Sequence, residues 1–179
     1  CCEFDVSHVV TLHDFNYTPD FLFTGESHDF WELAFIRSGS VGVMAGSNGY
    51  VLKSGEAIFH SPNEYHNIWA NRDAAEVVII SFMSDSPSMR FFEKRMLALS
   101  GDEISIIDKL LALGEETFSE PPNILYQKKL NIRPDAKRGN LQLLKLCLEE
   151  LLIRMMQSSE IIDRQERKSG EAGSKNDRL

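Results

Sequence analysis

The 179-residue chain carries 27 acidic and 19 basic side chains, for a formal net charge of -8, and 42% of it is hydrophobic. Such a chain has enough apolar material for one core, or one core with a smaller appendage. Its acidic balance argues against a duplex-DNA or RNA surface within these residues, because those surfaces set clustered Lys and Arg against phosphate.

Three cysteines, Cys1, Cys2 and Cys147, make no disulfide framework, and a reducing, cytoplasmic setting is expected. No apolar run is long enough to span a membrane, so no membrane partner is expected, and the N-terminus lacks a secretory signal pattern. The chain opens on Cys1-Cys2 rather than Met and is expected to be a piece of a longer protein.

Up to residue 86 the pattern is that of strands. Apolar or alternating runs at residues 7–12, 20–25, 31–39, 41–46, 49–55, 56–62, 65–71 and 75–84 are separated by turn residues at roughly the 8-to-12-residue spacing of an antiparallel sandwich or barrel. After Pro87 the pattern becomes helical. Ser88 is expected to cap a helix over MRFFEKRMLAL, and Asp102 one carrying Ile104, Ile107, Leu111 and Phe118, which Pro121-Pro122 ends. Residues 123–138 read as an irregular connection, with a dispersed basic patch that suits solvent rather than DNA.

A third helix is expected from about Asn140, with Leu141, Leu144, Leu148, Leu151 and Met155 in one stripe and Leu143, Leu146, Cys147 and Leu152 in a second. A surface helix usually buries one stripe, so Leu141, Leu144, Leu148, Leu151 and Met155 are expected to form the seam of a homodimer. The expected units are a β-barrel at 1–86, a helical dimerisation appendage at 87–157, and a linker or disordered tail at 158–179.

The stretch GESHDFWELAFIRSG at residues 25–39 places charged and imidazole groups inside an aromatic-rich run. In a strand, alternate residues share a face, so Glu26, His28, Phe30 and Glu32 are expected to point one way and Trp31, Leu33 and Phe35 the other. In SGEAIFHSPNEYHNIWAN, Glu64, His66 and Ile68 share the inward parity of a second strand. His8 and His60 read as ordinary strand residues, and Trp31, Tyr65 and Trp69 as core beneath the helices.

These two stretches resemble the paired motifs of the cupin superfamily. His28, Glu32 and Gly39 match the first motif, with Glu26 in place of its first histidine, and Gly55, Pro62 and His66 match the second. With their flanks, HDFWELAFIRSGS and GEAIFHSPNEYHNI, and the leucine-rich GNLQLLKLCLEELLIRMM, residues 5–157 are similar to the regulatory domain of AraC-type transcription factors. That resemblance implies a mainly β fold, a cupin (jelly-roll) barrel followed by two or three α-helices. It also implies a small polar effector, a carbohydrate being one candidate, bound at Glu26, His28, Phe30, Glu32 and His66. The helices would dimerise the domain, and DNA would be reached only through helix-turn-helix units outside this chain.

Three readings of the polar cluster stay open. It is an effector pocket without metal, a site for a divalent metal held by Glu26, His28, Glu32 and His66, or structural packing. No cofactor is firmly indicated. The regulator reading is non-enzymatic, and its rival is a metal-dependent cupin isomerase, dioxygenase or decarboxylase. No nucleophilic or phosphate-cradling motif is present in the sequence.

Overall fold

The computed structural model describes residues 2–127 and 129–174, with side chains in the last helix described as far as Ser159. Eight strands form: β1 (His8–Tyr17), β2 (Trp31–Ser38), β3 (Ser40–Ala45), β4 (Asn48–Lys53), β5 (Glu56–His60), β6 (His66–Ala70), β7 (Ala75–Met83) and β8 (Met96–Ala98). They make two antiparallel sheets, ordered β1-β7-β2-β5-β8 and β4-β3-β6. The β2–β3 turn needs Gly39, whose φ of 76° is a left-handed conformation and whose α-carbon abuts the Ala74 carbonyl.

Strand alternation divides the larger sheet into two buried faces. Ala34, Ile36, Ile58, Val77 and Ile79 face the smaller sheet and pack on Val41, Val43 and Leu52. Leu33, Phe35, Phe59, Ile80 and Phe82 face the other way and pack on the helices. Coverage on both sides explains why β2 and β7 are near-continuous apolar runs. The run expected as a strand at 20–25 makes an isolated bridge, Leu22 to Trp69, with backbone bonds from Phe23 N to Ile68 O and from Ala70 N to Phe21 O.

The helical region departs from expectation at its start. Residues capped by Ser88 in the sequence reading form a 3-10 turn, Pro87–Phe92, followed by the short strand β8. Met89 and Phe92, three residues apart, are both buried by that tight turn, and β8 then extends the sheet beside β5. Helix α1 (Gly101–Thr117) is capped by Ser100, not Asp102. Ser100 forms a reciprocal capping box with Glu103, and the helix buries Ile106, Ile107 and Leu110.

Helix α2 (Asn140–Ser174) begins where the periodicity places it. Leu144, Leu148, Leu151 and Met155, assigned above to a dimer seam, are buried within this one chain, while Leu141 is half exposed. Cys147 and Leu152 of the second stripe are buried too, while Leu143 and Leu146 stay half exposed, so that stripe is covered only in part. The reason is geometric: α2 lies against both the outer face of the sheet and α1. Its backbone is helical through Ser174, within the segment expected as a linker or disordered tail from residue 158; residues 175–179 lie outside the described residues. No described helix is long and apolar enough to cross a membrane.

Leu148 is fully buried between these layers, so Leu148→Ala should lower the unfolding free energy by about 2–5 kcal/mol in urea titration. Sedimentation should show an unchanged association state. A variant as stable as the parent but altered in association would place Leu148 at a subunit seam instead.

Candidate ligand-binding site in the barrel

Register brings one row of polar side chains to the same level of the larger sheet. Thr11 pairs with Ser81, Ser81 with Glu32, and Glu32 with His60, across β1, β7, β2 and β5. All four side chains are buried, and a relay runs from Thr11 Oγ1 to Ser81 Oγ (2.9 Å) and from Ser81 Oγ to Glu32 Oε2 (3.3 Å). One step along the strands the inward residues are the apolar Ala34, Ile58 and Ile79, of which Ile58 is packed in the core while Ala34 and Ile79 line the open side with His13.

A cavity of about 390 Å³ occupies the open side, within the range of small-molecule sites. His13, Phe15, Tyr17, Glu26, His28, Phe30, Glu32, His60, His66 and Asn67 are among its walls, and no described Lys or Arg lines it. Along β1 the rings of His13, Phe15 and Tyr17 stack in succession at 4.8 and 5.6 Å, giving the cavity an aromatic wall.

Glu32 is the hub of the acidic wall. Its Oε2 lies 3.4 Å from His28 Nε2 and its Oε1 lies 3.4 Å from His66 Nε2. Each imidazole is fixed by its other nitrogen: His28 Nδ1 donates to the Phe30 carbonyl and His66 Nδ1 to the Glu64 carbonyl, both at 3.0 Å. Neither Nε2 has a hydrogen-bond partner although both are buried. Burial alone would raise the Glu32 carboxyl, but the adjoining His28 and His66 imidazoles outweigh it and hold the group below the usual carboxylate range. Burial lowers His66, yet Glu32 reverses that and raises it above 6.5. His13 has no such partner at close range, and burial lowers it despite its bond to the Pro122 carbonyl.

Positive charge is therefore drawn to the space between Glu32 and the imidazoles, as a proton or as a metal ion. One ligand atom each from Glu26, His28, Glu32 and His66 lies within 4.8 Å of the others. Two ligands held about 2.1 Å from an ion at a tetrahedral angle stand about 3.4 Å apart, which is the spacing seen at Glu32. Imidazoles oriented by backbone carbonyls and a carboxylate held by Ser81 are the outer-shell supports such a site uses. The four residues fit a divalent ion.

The structure brings together all five residues named from the sequence, though not as one strand face. Only Glu32 is in β2; residues 27–30 form a loop, and Glu26 reaches the site by a bridge to His66 of β6. Phe30 stacks on the His28 ring at 3.7 Å. Glu64, expected inward, lies outside the cavity wall and faces His60 Nδ1 at 3.6 Å.

His60 is not an ordinary strand residue: it is buried, lines the cavity and stacks on His66 at 4.3 Å. His13 is a further wall residue that sequence reasoning missed. Its signal was the shared parity of Thr11, His13, Phe15 and Tyr17, visible only if β1 is extended beyond residue 12. His8 is exposed, as an ordinary strand residue. Trp31 is core beneath the helices, whereas Trp69 packs on Gly42 outside that cluster and Tyr65 is exposed, its hydroxyl donating to the Thr24 carbonyl.

Residues 8–86 match the family of AraC-like ligand binding domains. Among the described residues the chain forms two antiparallel sheets followed by two helices.

Solved structures similar to the chain include a conserved protein of unknown function from Streptococcus pyogenes, at 15% identity and TM-score 0.39 over 40% of this chain and 62% of that one. A predicted oxalate decarboxylase from Thermotoga maritima is similar at 15% identity and TM-score 0.41 over 42% of this chain and 68% of the other. A cupin superfamily protein from Desulfitobacterium hafniense is similar at 14% identity and TM-score 0.40, over 43% and 69%. The chain thus spans less than two thirds of the Streptococcus protein. No curated protein matches the chain.

For the protein without added metal, the His66 imidazole should titrate above 6.5 in nuclear magnetic resonance, and Glu32→Gln should bring it down. By linkage, the stabilisation from His66 is complete below its unfolded pKa and is lost as pH rises through the raised value. Glu32, shifted the other way, contributes above its unfolded pKa and loses its contribution as pH falls. A His66 titration indifferent to Glu32→Gln would contradict the pairing.

Proposed function

We propose that this chain is the effector-sensing part of an AraC-type transcription regulator, taking a small polar molecule, a carbohydrate being one candidate, into the barrel cavity. The observation that carries this reading is the pair of buried, unpartnered Nε2 atoms of His28 and His66 converging on Glu32 inside a cavity of ligand size. A polar cluster kept for packing alone would have its donors and acceptors paired with one another. Here backbone carbonyls aim both imidazoles at Glu32 at an ion-pair distance of 3.4 Å, and among the described residues neither Nε2 makes a hydrogen bond. Contact with DNA would come from helix-turn-helix units beyond these residues.

A divalent metal is the second part of the proposal. Glu26, His28, Glu32 and His66 would hold it, and when bound it would supply a Lewis-acidic point for an oxygen of the entering molecule. The chain's own groups do the rest. Phe30 holds the His28 ring by stacking, Ser81 orients the carboxylate of Glu32, and Phe15 and Tyr17 present an apolar surface to the body of the ligand.

The same ligand set beside an open cavity is what favours the rival reading, a metal-dependent cupin enzyme. The two separate by experiment. Under the sensing reading, a small molecule that binds the purified protein in calorimetry should be recovered unchanged after prolonged incubation with metal-loaded protein. Its conversion would establish the enzyme.

Ni²⁺ titration of protein purified without a nickel column should show one site, with Glu32→Ala weakening binding at least about tenfold. Affinity should fall as pH drops, because His66 must lose its proton to bind. Equal Ni²⁺ affinity in parent and Glu32→Ala would show that these four groups do not hold the ion.

A homodimer belongs to this proposal too, but not along the seam first expected. Leu143 and Leu146 on α2 are half exposed and three residues apart, and they are the surface such contact would use. Leu143→Glu with Leu146→Glu should yield a folded monomer in sedimentation; a parent protein already monomeric at high concentration would refute the dimer.

A further inference from the structure

One wall of the cavity comes from outside the family match at residues 8–86. Residues 118–139 join α1 to α2, and the two ends of this connection are fastened to each other. Phe118 bridges Ile132, Ser119 N donates to Asn131 O at 2.9 Å, Arg133 N donates to Thr117 O at 2.9 Å, and Glu120 accepts from Asn131 N at 2.8 Å. The tip beyond this clasp leans over the mouth of the barrel. There the Pro122 carbonyl accepts from both Asp14 N (3.0 Å) and His13 Nδ1 (3.2 Å), two groups of strand β1.

Past that anchor, Leu125, Tyr126 and Gln127 line the cavity. Leu125 and Tyr126 are 42% and 71% exposed, so their apolar surface is spent on the mouth and not on the core. Tyr126 has a φ of 60°, uncommon for a bulky side chain, and its ring meets Phe23 at 5.7 Å across the opening. Gln127 donates through Nε2 to the Lys129 carbonyl at 3.1 Å, while its Oε1 is buried with no partner. Asn67 Oδ1, on strand β6, is a second buried and unpartnered amide oxygen in the same lining.

We propose that residues 122–127 form the outer wall and cover of the ligand site, anchored to the barrel at Pro122 and closing the mouth through Tyr126 and Gln127. Buried acceptors without donors call for a ligand that brings O–H or N–H groups, and the Phe23–Tyr126 pair suits a ring face beside them. This assignment rests on the ligand-binding reading of the cavity. It extends that reading by making the α1–α2 connection, which continues directly into α2 at Asn140, part of the site.

The test measures access without any effector, so it stands apart from whether a sensed molecule is found. Diethyl pyrocarbonate acylates accessible imidazoles, and peptide mass mapping gives a rate for each histidine. His8 lies outside the cavity and serves as the internal reference, while His13, His28, His60 and His66 line it. In the parent protein the four should react well below the rate of His8.

Two variants should raise their rates relative to His8 several-fold: Tyr126→Ala with Gln127→Ala, and a loop in which residues 123–127 are replaced by Gly and Ser at equal length, with Pro122 kept. Thermal denaturation identifies any variant that has lost the fold. The point variant alters an exposed tyrosine and the adjoining glutamine, so at least one folded comparison is expected. Unchanged ratios in folded variants would overturn the proposal while leaving the sensing reading intact.

Discussion

The arrangement depends on keeping the Glu32 carboxylate ionised inside a barrel. Burying a lone carboxylate costs several kcal/mol after relaxation, and removing one partner of a buried pair typically costs about 3–5 kcal/mol. Glu32 has its compensation on three sides: Ser81 from β7, His28 from the loop before β2, and His66 from β6. Each of those elements must hold its position for the carboxylate to remain charged. The strand register, the 27–30 loop and the bridge at Glu26 and His66 are thus constrained by one group.

Stability alone would not choose this row. A buried ion pair replaced by well-packed apolar residues is often neutral or stabilising, and the row next to it, Ala34, Ile58 and Ile79, shows the barrel accepting such packing. The polar row is retained where the interior opens into the cavity, and its imidazoles are held by backbone carbonyls with one nitrogen left free. An apolar interior a few ångströms away and a chemically poised one here are consistent with a site kept for what it binds. The opposite face of the same sheet meets α1 and α2, so side chains facing the barrel interior and side chains touching the helices alternate along β2 and β7.

Much of this was legible from the residues, and the failures have physical causes. Strand parity correctly set Glu32 inward and Trp31, Leu33 and Phe35 against the helices, because that alternation is local. It failed for Glu26 and His28, which reach the site through a loop, and for Glu64, which turns toward His60. His60 and His13 were missed because their neighbours are set by cross-strand register, with partners 28 and 66 positions away at Glu32 and Ile79, which no local pattern reports. The segment after Pro87 read as a helix over MRFFEKRMLAL capped by Ser88, but Met89 and Phe92, three residues apart, are buried by a single 3-10 turn, and pairing with β5 decided the remainder. On α2 the two stripes were real. What the sequence could not reveal was that the chain's own sheet and α1 would cover Leu144, Leu148, Leu151 and Met155 and leave Leu143 and Leu146 half exposed.

The most direct test of the central claim is a double-mutant cycle between Glu32 and His66 in protein freed of metal, using Glu32→Gln and His66→Gln and reading unfolding free energies in urea at neutral pH. If the carboxylate is held by this imidazole, the two substitutions should couple by about 0.5–3 kcal/mol, the double variant losing less than the sum of the singles. Additive losses would mean that Glu32 and His66 do not interact in the folded protein, and the account of the site built around them would be wrong.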